Sequence, residues 1–375
     1  MKTKLLPLDG QTMVITGASS GIGLVTARQA AARGARVVLA ARNARDLEDA
    51  VADIRRRGGR AIHVVADVAD ATQVEAIARA AIREFGRIDT WVNNAAVSMY
   101  GRVMQLPIDD MRRQMDVNYW GQVYGSITAV RHLRERGGAL INVGSALCDR
   151  AIPLQANYCA AKHALKGFTD ALRMELEEEG VPISVTLVKP ASIDTPFFDK
   201  ARSYLGTEPQ PVPPVYDPDV VAEVILEAAQ RPIRELTAGG SGAKLSVARF
   251  VPRLADRYME RWTFDAQRTD APLNGRPDNL FEPVARDGGE RGRNWTGHTR
   301  RSSVYTRAFL HPGMAAAIST GIAATVTAAA VAAGRSRKAT TRSGPAEPRA
   351  AQSPSAMPLP ASRQSTPHGP SRSDR

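Results

Sequence analysis

Six short apolar runs recur through the first 190 residues, and each is followed by a longer segment of helical spacing. The runs are TMVIT (12–16), ARVVLA (35–40), AIHVVA (61–66), IDTWVN (88–93), ALINVG (139–144) and ISVTLV (183–188). They are rich in β-branched residues and mostly apolar throughout, the pattern of strands buried on both faces. Intervening segments such as GLVTARQAAARG and ATQVEAIARAAIREFG carry the period of helices. This alternation leaves few architectures. It predicts an α/β fold built on a doubly wound, Rossmann-type sheet, mostly parallel, with helices on both faces. IRELTAGG (233–240) supplies a seventh strand. In such sheets ligands sit beyond the carboxyl ends of the strands, so chemistry is sought in the loops that follow them.

The first loop reads TGASSGIG (16–23) and opens a helix. Gly17, Gly21 and Gly23 allow a tight turn and close approach of the backbone to a pyrophosphate, with Ser19, Ser20 and Ile22 between them. The second strand ends in VVLAARN, where an NAD site would place a carboxylate for the ribose 2′-hydroxyl. Ala41 stands there, followed by Arg42, whose guanidinium suits a 2′-phosphate, so NADP(H) is favoured over NAD. ADVAD places Asp67 to accept from the adenine amine, with Val68 beside it. VNNAA sets Asn93 and Ala95 along the path of the cofactor.

Further on, QANYCAAKHALKGF holds Tyr158 four residues before Lys162, so the two share a helix face. A phenol has a reference pKa of about 10, and an ammonium beside it favours the phenolate. Ser145, in NVGSAL, lies thirteen residues upstream of the tyrosine, and Asn118, in DVNYWG, lies further back.

In combination these segments resemble the short-chain dehydrogenases/reductases of the classical type, over residues 10–240. TGASSGIG resembles that family's cofactor turn, NNAA its NNAG with Ala96 for glycine, and KPASIDTP its PGxxxT with Ala191 for glycine. The resemblance implies a catalytic set of Asn118, Ser145, Tyr158 and Lys162. It also implies that Pro190, Ile193 and Thr195 lie along the nicotinamide end of the cofactor. Tyr158 would then exchange a proton with a carbonyl/alcohol substrate. Lys162 would lower its pKa and reach the ribose hydroxyls, Ser145 would hold the substrate oxygen, and Asn118 would hold a water leading to solvent. A homo-oligomer built through the helices carrying Asn118 and Tyr158 is implied as well. Substrate-lining candidates are Met99, Tyr100, Leu147, Ile152, Gln155, Phe197, Phe198 and Tyr204. Most are apolar, which favours an apolar ketone or alcohol. An alternative of another class is a sensor or scaffold protein that binds NADP without turnover.

The 375 residues divide, on this reading, into a catalytic domain (1–240), a helical then irregular extension (241–310), an Ala-rich segment (311–334) and a basic Pro/Ser-rich tail (335–375). The net charge is +12, of which 335–375 carries +6 and 285–307 carries +4. The charge therefore sits at the C-terminal end, without a recognition motif for nucleic acid, and such a tail is expected to be disordered. Residues 314–334 are uncharged and long enough to span a bilayer, but mostly Ala, Thr and Gly, so they are a weak candidate anchor. The two cysteines, Cys148 and Cys159, fit a reducing cytosol, and a redox pair between them is an alternative to plain burial. No leader is evident at the N-terminus, and the six histidines form no metal motif. A cytoplasmic protein, membrane-associated if 314–334 anchors it, is the expectation.

Overall fold

Most of the β-branched runs become strands with both faces covered, while Arg60–Val65, at the sheet edge, is only partly buried. In the computed structural model, which describes residues 3–242, 245 and 250–310, seven strands form one sheet. They are β1 (Thr12–Thr16), β2 (Arg36–Ala41), β3 (Arg60–Val65), β4 (Thr90–Asn93), β5 (Gly138–Val143), β6 (Ile183–Pro190) and β7 (Glu235–Ala238). Their order is β3-β2-β1-β4-β5-β6-β7, and every pairing is parallel. Strand order reverses between β1 and β4, which places a ligand crevice beyond their carboxyl ends.

Successive side chains leave a strand on opposite faces, and the core divides accordingly. Met13, Ile15, Val37 and Leu39 pack with α1 (Gly21–Ala32), α2 (Ala44–Arg56) and α7 (Pro218–Ala228). Val14, Val38, Trp91 and Leu140 pack on the other face. Their partners there are α3 (Ala71–Phe85), α5 (Gly121–Leu133) and α6 (Ala156–Glu178). Helix starts follow local chemistry. The side chains of Asn43, Asp70 and Asp217 cap α2, α3 and α7 by accepting from backbone N–H groups of the first turn. Gly86, at φ +76°, ends α3. The short helix α4 (Ile108–Met115) leads directly into a π-helical turn, Asp116–Trp120, before α5.

Residues 196–216 do not run free across the sheet edge. Arg202–Ser203 pairs with Met99–Tyr100, and Thr207–Pro209 pairs with Arg268–Pro272. Val215–Tyr216 lies between Ser192–Ile193 and Thr299–Arg300. The polar stretch 265–307 is thus stitched to the segments before it by strands of two to five residues, too short to leave a sequence pattern. Within the expected helical extension, α8 (Pro252–Ala266) starts at the proline, a favoured first position. A last helix, α9 (Val304–Leu310), follows the irregular stretch. Among the described residues no helix is long and apolar enough to cross a membrane, while 314–334 and the basic tail lie outside them.

Candidate active site

Beyond the carboxyl ends of β1, β2, β4, β5 and β6 lies a cavity of about 1540 Å³. One end is bounded by the glycine turn and by Ala41, Arg42, Asp67 and Val68. The other is bounded by Ser145, Leu147, Gln155, Tyr158, Lys162 and Phe197. Pro190, Ile193 and Thr195 line the wall between.

The turn is built for close approach. Gly17 has φ +66°, and a Cβ there would sit 2.8 Å from Ala95 Cα. A Cβ on Gly23 would meet the Gly17 carbonyl oxygen at 2.3 Å, so Gly23 serves helix-to-turn packing and does not face the cavity. Ser19, Ser20, Gly21, Ile22 and Ala95 do line it, and a dinucleotide fits this cradle of small residues at a helix N-terminus. The Gly21 N–H, however, donates to Gly289 O at 2.8 Å.

Two expected cofactor contacts have other duties. Arg42 donates to the carbonyls of Phe281, at 2.6 Å, and of Asn279. The Asp67 carboxylate accepts from Arg113, at 2.5 Å, and from Ala69 N. Each keeps capacity for a further partner, since a guanidinium has five N–H groups and a carboxylate about four lone-pair sites. Asn93 is a correction. Its side chain is buried under the sheet, accepting from Trp91 Nε1 at 2.7 Å and donating to Gln122 O, Ser126 Oγ and Asn142 Oδ1. Asn94 lines the cavity instead, and its amide donates to the carbonyls of Thr16 and Gly17. A strand's side-chain period of two decides which of adjacent asparagines faces which way.

At the other end, Tyr158 and Lys162 are buried on one face of α6, with the Lys162 ammonium 5.7 Å from the Tyr158 ring centre. Lys162 donates to Val143 O at 2.8 Å. Ser145 caps a 3₁₀ turn, Ala146–Cys148, its Oγ accepting from Leu147 N at 3.1 Å, which leaves its own hydrogen to donate. Burial pushes the Tyr158 phenol up, and a hydrogen bond with Ser145 opposes that in part. Burial pulls the Lys162 ammonium down to about 8. The expected lowering of Tyr158 by Lys162 is therefore not what the protein side chains produce by themselves, because desolvation dominates at the phenol. Asn118 sits in the π-helical turn and does not line the cavity. Its amide holds Val97 through both N–H and C=O, at 2.8 and 2.9 Å, and so fixes the loop after β4.

Met99 and Tyr204 are further corrections. Met99 is buried in the apolar core and does not line the cavity, and Tyr204 turns away to Asp110. Tyr100, Ile152, Gln155, Phe197 and Phe198 stay on the cavity wall, with the Phe197 ring 5.9 Å from that of Tyr158. Both cysteines are free and buried, and burial raises each thiol to about 11, which disfavours the reactive thiolate.

The model of the short chain dehydrogenase family matches residues 11–205. The chain belongs to the short-chain dehydrogenases. An uncharacterized oxidoreductase of Bacillus subtilis, YxnA, is 46% identical over 327 residues, 86% of this chain and 92% of that relative. A match of that length in this chain includes the extension, so YxnA shares it. The 3-oxoacyl-[acyl-carrier-protein] reductase of Synechocystis is 34% identical over 62% of this chain and 94% of its own length. A short-chain dehydrogenase/reductase from Burkholderia phymatum, solved in complex with NAD, is 26% identical and superposes with a TM-score of 0.60, covering 67% of this chain and 97% of that one. Membership makes this short-chain dehydrogenase an NAD(P)-dependent oxidoreductase.

The extension contributes cavity residues that no motif announced. α8 presents Leu254, Tyr258 and Trp262 at four-residue spacing, exposed and on the cavity wall, with the buried Met259 also lining it. That spacing is legible as a helix face, but not which cavity it borders.

Proposed function

We propose that this dehydrogenase transfers hydride between NADP(H) and an apolar carbonyl/alcohol substrate, with Tyr158 exchanging the proton. The observation that carries the reading is one continuous cavity with the glycine turn at one end and Ser145, Tyr158 and Lys162 at the other. Bound nicotinamide supplies the hydride in reduction. Tyr158 gives its proton to the carbonyl oxygen as the carbon is reduced, and a phenolate remains. The Ser145 hydroxyl, turning from Tyr158 to the substrate oxygen, donates its hydrogen there and stabilises the charge developing on it. The Lys162 ammonium, one turn from the phenol, stabilises the phenolate until it is reprotonated. In the oxidation direction the same phenolate accepts the alcohol proton.

Preference for NADP rests on Arg42 at the tip of β2, with Ala41 where a carboxylate would select NAD. An apolar substrate is supported by Leu147, Ile152, Phe197, Val212, Leu254 and Trp262 around the catalytic end. The test is hydride transfer by the purified protein against a panel of aldehydes, ketones and alcohols, with NADPH and NADH in parallel. Tyr158→Phe is expected to lose turnover by about 10²-fold or more while NADPH still binds. Full activity in that variant would refute the assignment. Arg42→Ala is expected to raise KM for NADPH and leave that for NADH unchanged; equal effects on both would remove the argument for NADP.

A further inference from the structure

The glycine turn carries a cation that its own motif does not supply. Lys200 follows the nicotinamide-end loop, within FFDKARSY. It is 9% exposed, and its ammonium donates to Ser20 Oγ at 2.9 Å and to Asp287 Oδ1 at 3.0 Å. Ser20 is the N-cap residue of α1, yet its side chain makes no capping bond. Its hydroxyl takes the lysine instead. Ser20, Lys200 and Asp287 all line the cavity together with Gly17, Gly21 and Ile22. An ammonium has three donors, and the third has no acceptor among the described residues.

We propose that Lys200 is a diphosphate-binding residue of this enzyme, a buried cation aimed at the glycine turn and held there by Asp287 of the C-terminal extension. The proposal rests on the dinucleotide reading above. Three features favour an anion at this place. The N-terminus of α1 carries partial positive charge. Lys200 adds a full charge with a donor to spare. Burial makes the charged ammonium costly, lowering its pKa, while Asp287, Asp46 and Asp199 pull the other way. A second anion would relieve that cost. Asp287 is then a competitor as well as a holder. Its carboxylate takes the ammonium that a diphosphate would otherwise take, so removing its charge should strengthen nucleotide binding. A lysine serving only to pin the extension predicts the opposite, since losing either partner breaks the same pin.

The experiment is calorimetric titration of the full chain with NADPH, NADH and ADP-ribose, and competition by adenosine, which lacks the diphosphate. Lys200→Met is expected to weaken all three diphosphate ligands by about tenfold or more, the scale of one charge-assisted hydrogen bond, with adenosine changed less than about twofold. Lys200→Arg is expected to restore most of the affinity, and Asp287→Asn to tighten it. The proposal is overturned if Lys200→Met leaves the diphosphate ligands unchanged, or weakens adenosine as much as ADP-ribose. It is also overturned if Asp287→Asn weakens binding as Lys200→Met does. If Lys200→Met fails to fold, Asp287→Asn and Lys200→Arg still decide by the same signs. Wild-type protein that binds none of the three would sink the dinucleotide reading itself, an outcome distinct from loss in the variant alone.

Discussion

Lys162 illustrates how a buried charge at the proposed site is held against stability. Burial depresses its pKa from 10.5 to about 8. Between those values the unfolded chain binds a proton that the folded chain does not, so stability rises with pH across that window. Below about pH 8 the charged, desolvated ammonium costs the fold on the order of 3 kcal/mol. Lys162→Met is therefore expected to unfold at a higher temperature than wild type at pH 7, with the gap closing as pH approaches 10.5. Thermal melts at stepped pH check this, and a variant less stable at pH 7 would contradict it. Activity should respond to the same titration with the opposite sign. The proposed carbonyl reduction uses the ammonium, so kcat is expected to fall as pH rises through about 8, read from initial rates with saturating substrates.

At the scale of elements, the sheet is joined to its helices by a buried polar chain. It runs from Trp91 through Asn93 to Ser126 and Asn142, and from Asn142 to Thr169. This ties β4 and β5 to α5 and α6, the latter carrying Tyr158 and Lys162. Asn93→Ala strands the Trp91 indole N–H and removes a donor to Asn142. It is expected to cost about 1–3 kcal/mol in urea unfolding, while the Kd of NADPH changes little. A cofactor-contacting asparagine would reverse that pattern. The junction of β1 and α1 makes a second element-scale prediction. Gly23→Ala drives a methyl into the Gly17 carbonyl, a backbone atom that cannot step aside. Loss of NADPH binding by about tenfold or more is expected, since the two halves of the turn must separate. An unchanged Kd would show that the turn is not held as tightly as its packing implies.

The whole molecule is more than a dehydrogenase core with a loose end. Residues 279–294 lie along the glycine turn and α2, held by many separate contacts. Asn43 and Arg113 donate to the carbonyls of Val284 and Leu280. Arg28 pairs with Glu290, Arg286 with Asp46 and Asp49, and Arg291 with Asp217. The buried Asp199 carboxylate accepts from the N–H groups of Arg293 and Asn294. Exposed ion pairs among these contribute little singly, but the Asp199 contacts are desolvated and directional. Asp199→Ala is expected to cost about 1–3 kcal/mol and to speed NADPH release in a stopped-flow displacement. Release at the wild-type rate would mean that the extension covers the turn without holding the nucleotide.

Much of this was legible in the residues. Six apolar runs and one weaker one became the seven strands, because a strand covered on both sides must be apolar on both, the partly exposed edge strand β3 excepted. That Ser145, Tyr158 and Lys162 meet on one cavity wall was readable because each has a fixed place at a strand end or on a helix turn, and spacing encodes both. Asn93 and Met99 were misplaced because a one-residue shift in a strand or loop reverses the side chain, and spacing alone does not say which residue faces the ligand. Lys200 and Asp287 left no signal at all. They are 87 residues apart, and only the folded chain brings a lysine and an aspartate to the same turn.

The sequence by itself determined the parallel doubly wound sheet, the glycine turn and the groups that meet at the far end of the cavity, since local period and local spacing carry that information. Tertiary structure alone decided how those groups are charged and what closes over them. A pKa depends on how much water the rest of the chain removes, and burial raised Tyr158 where a neighbouring ammonium alone would have lowered it. The path of residues 279–294 over the cofactor turn depends on many weak contacts between distant segments, none of which has a period to read.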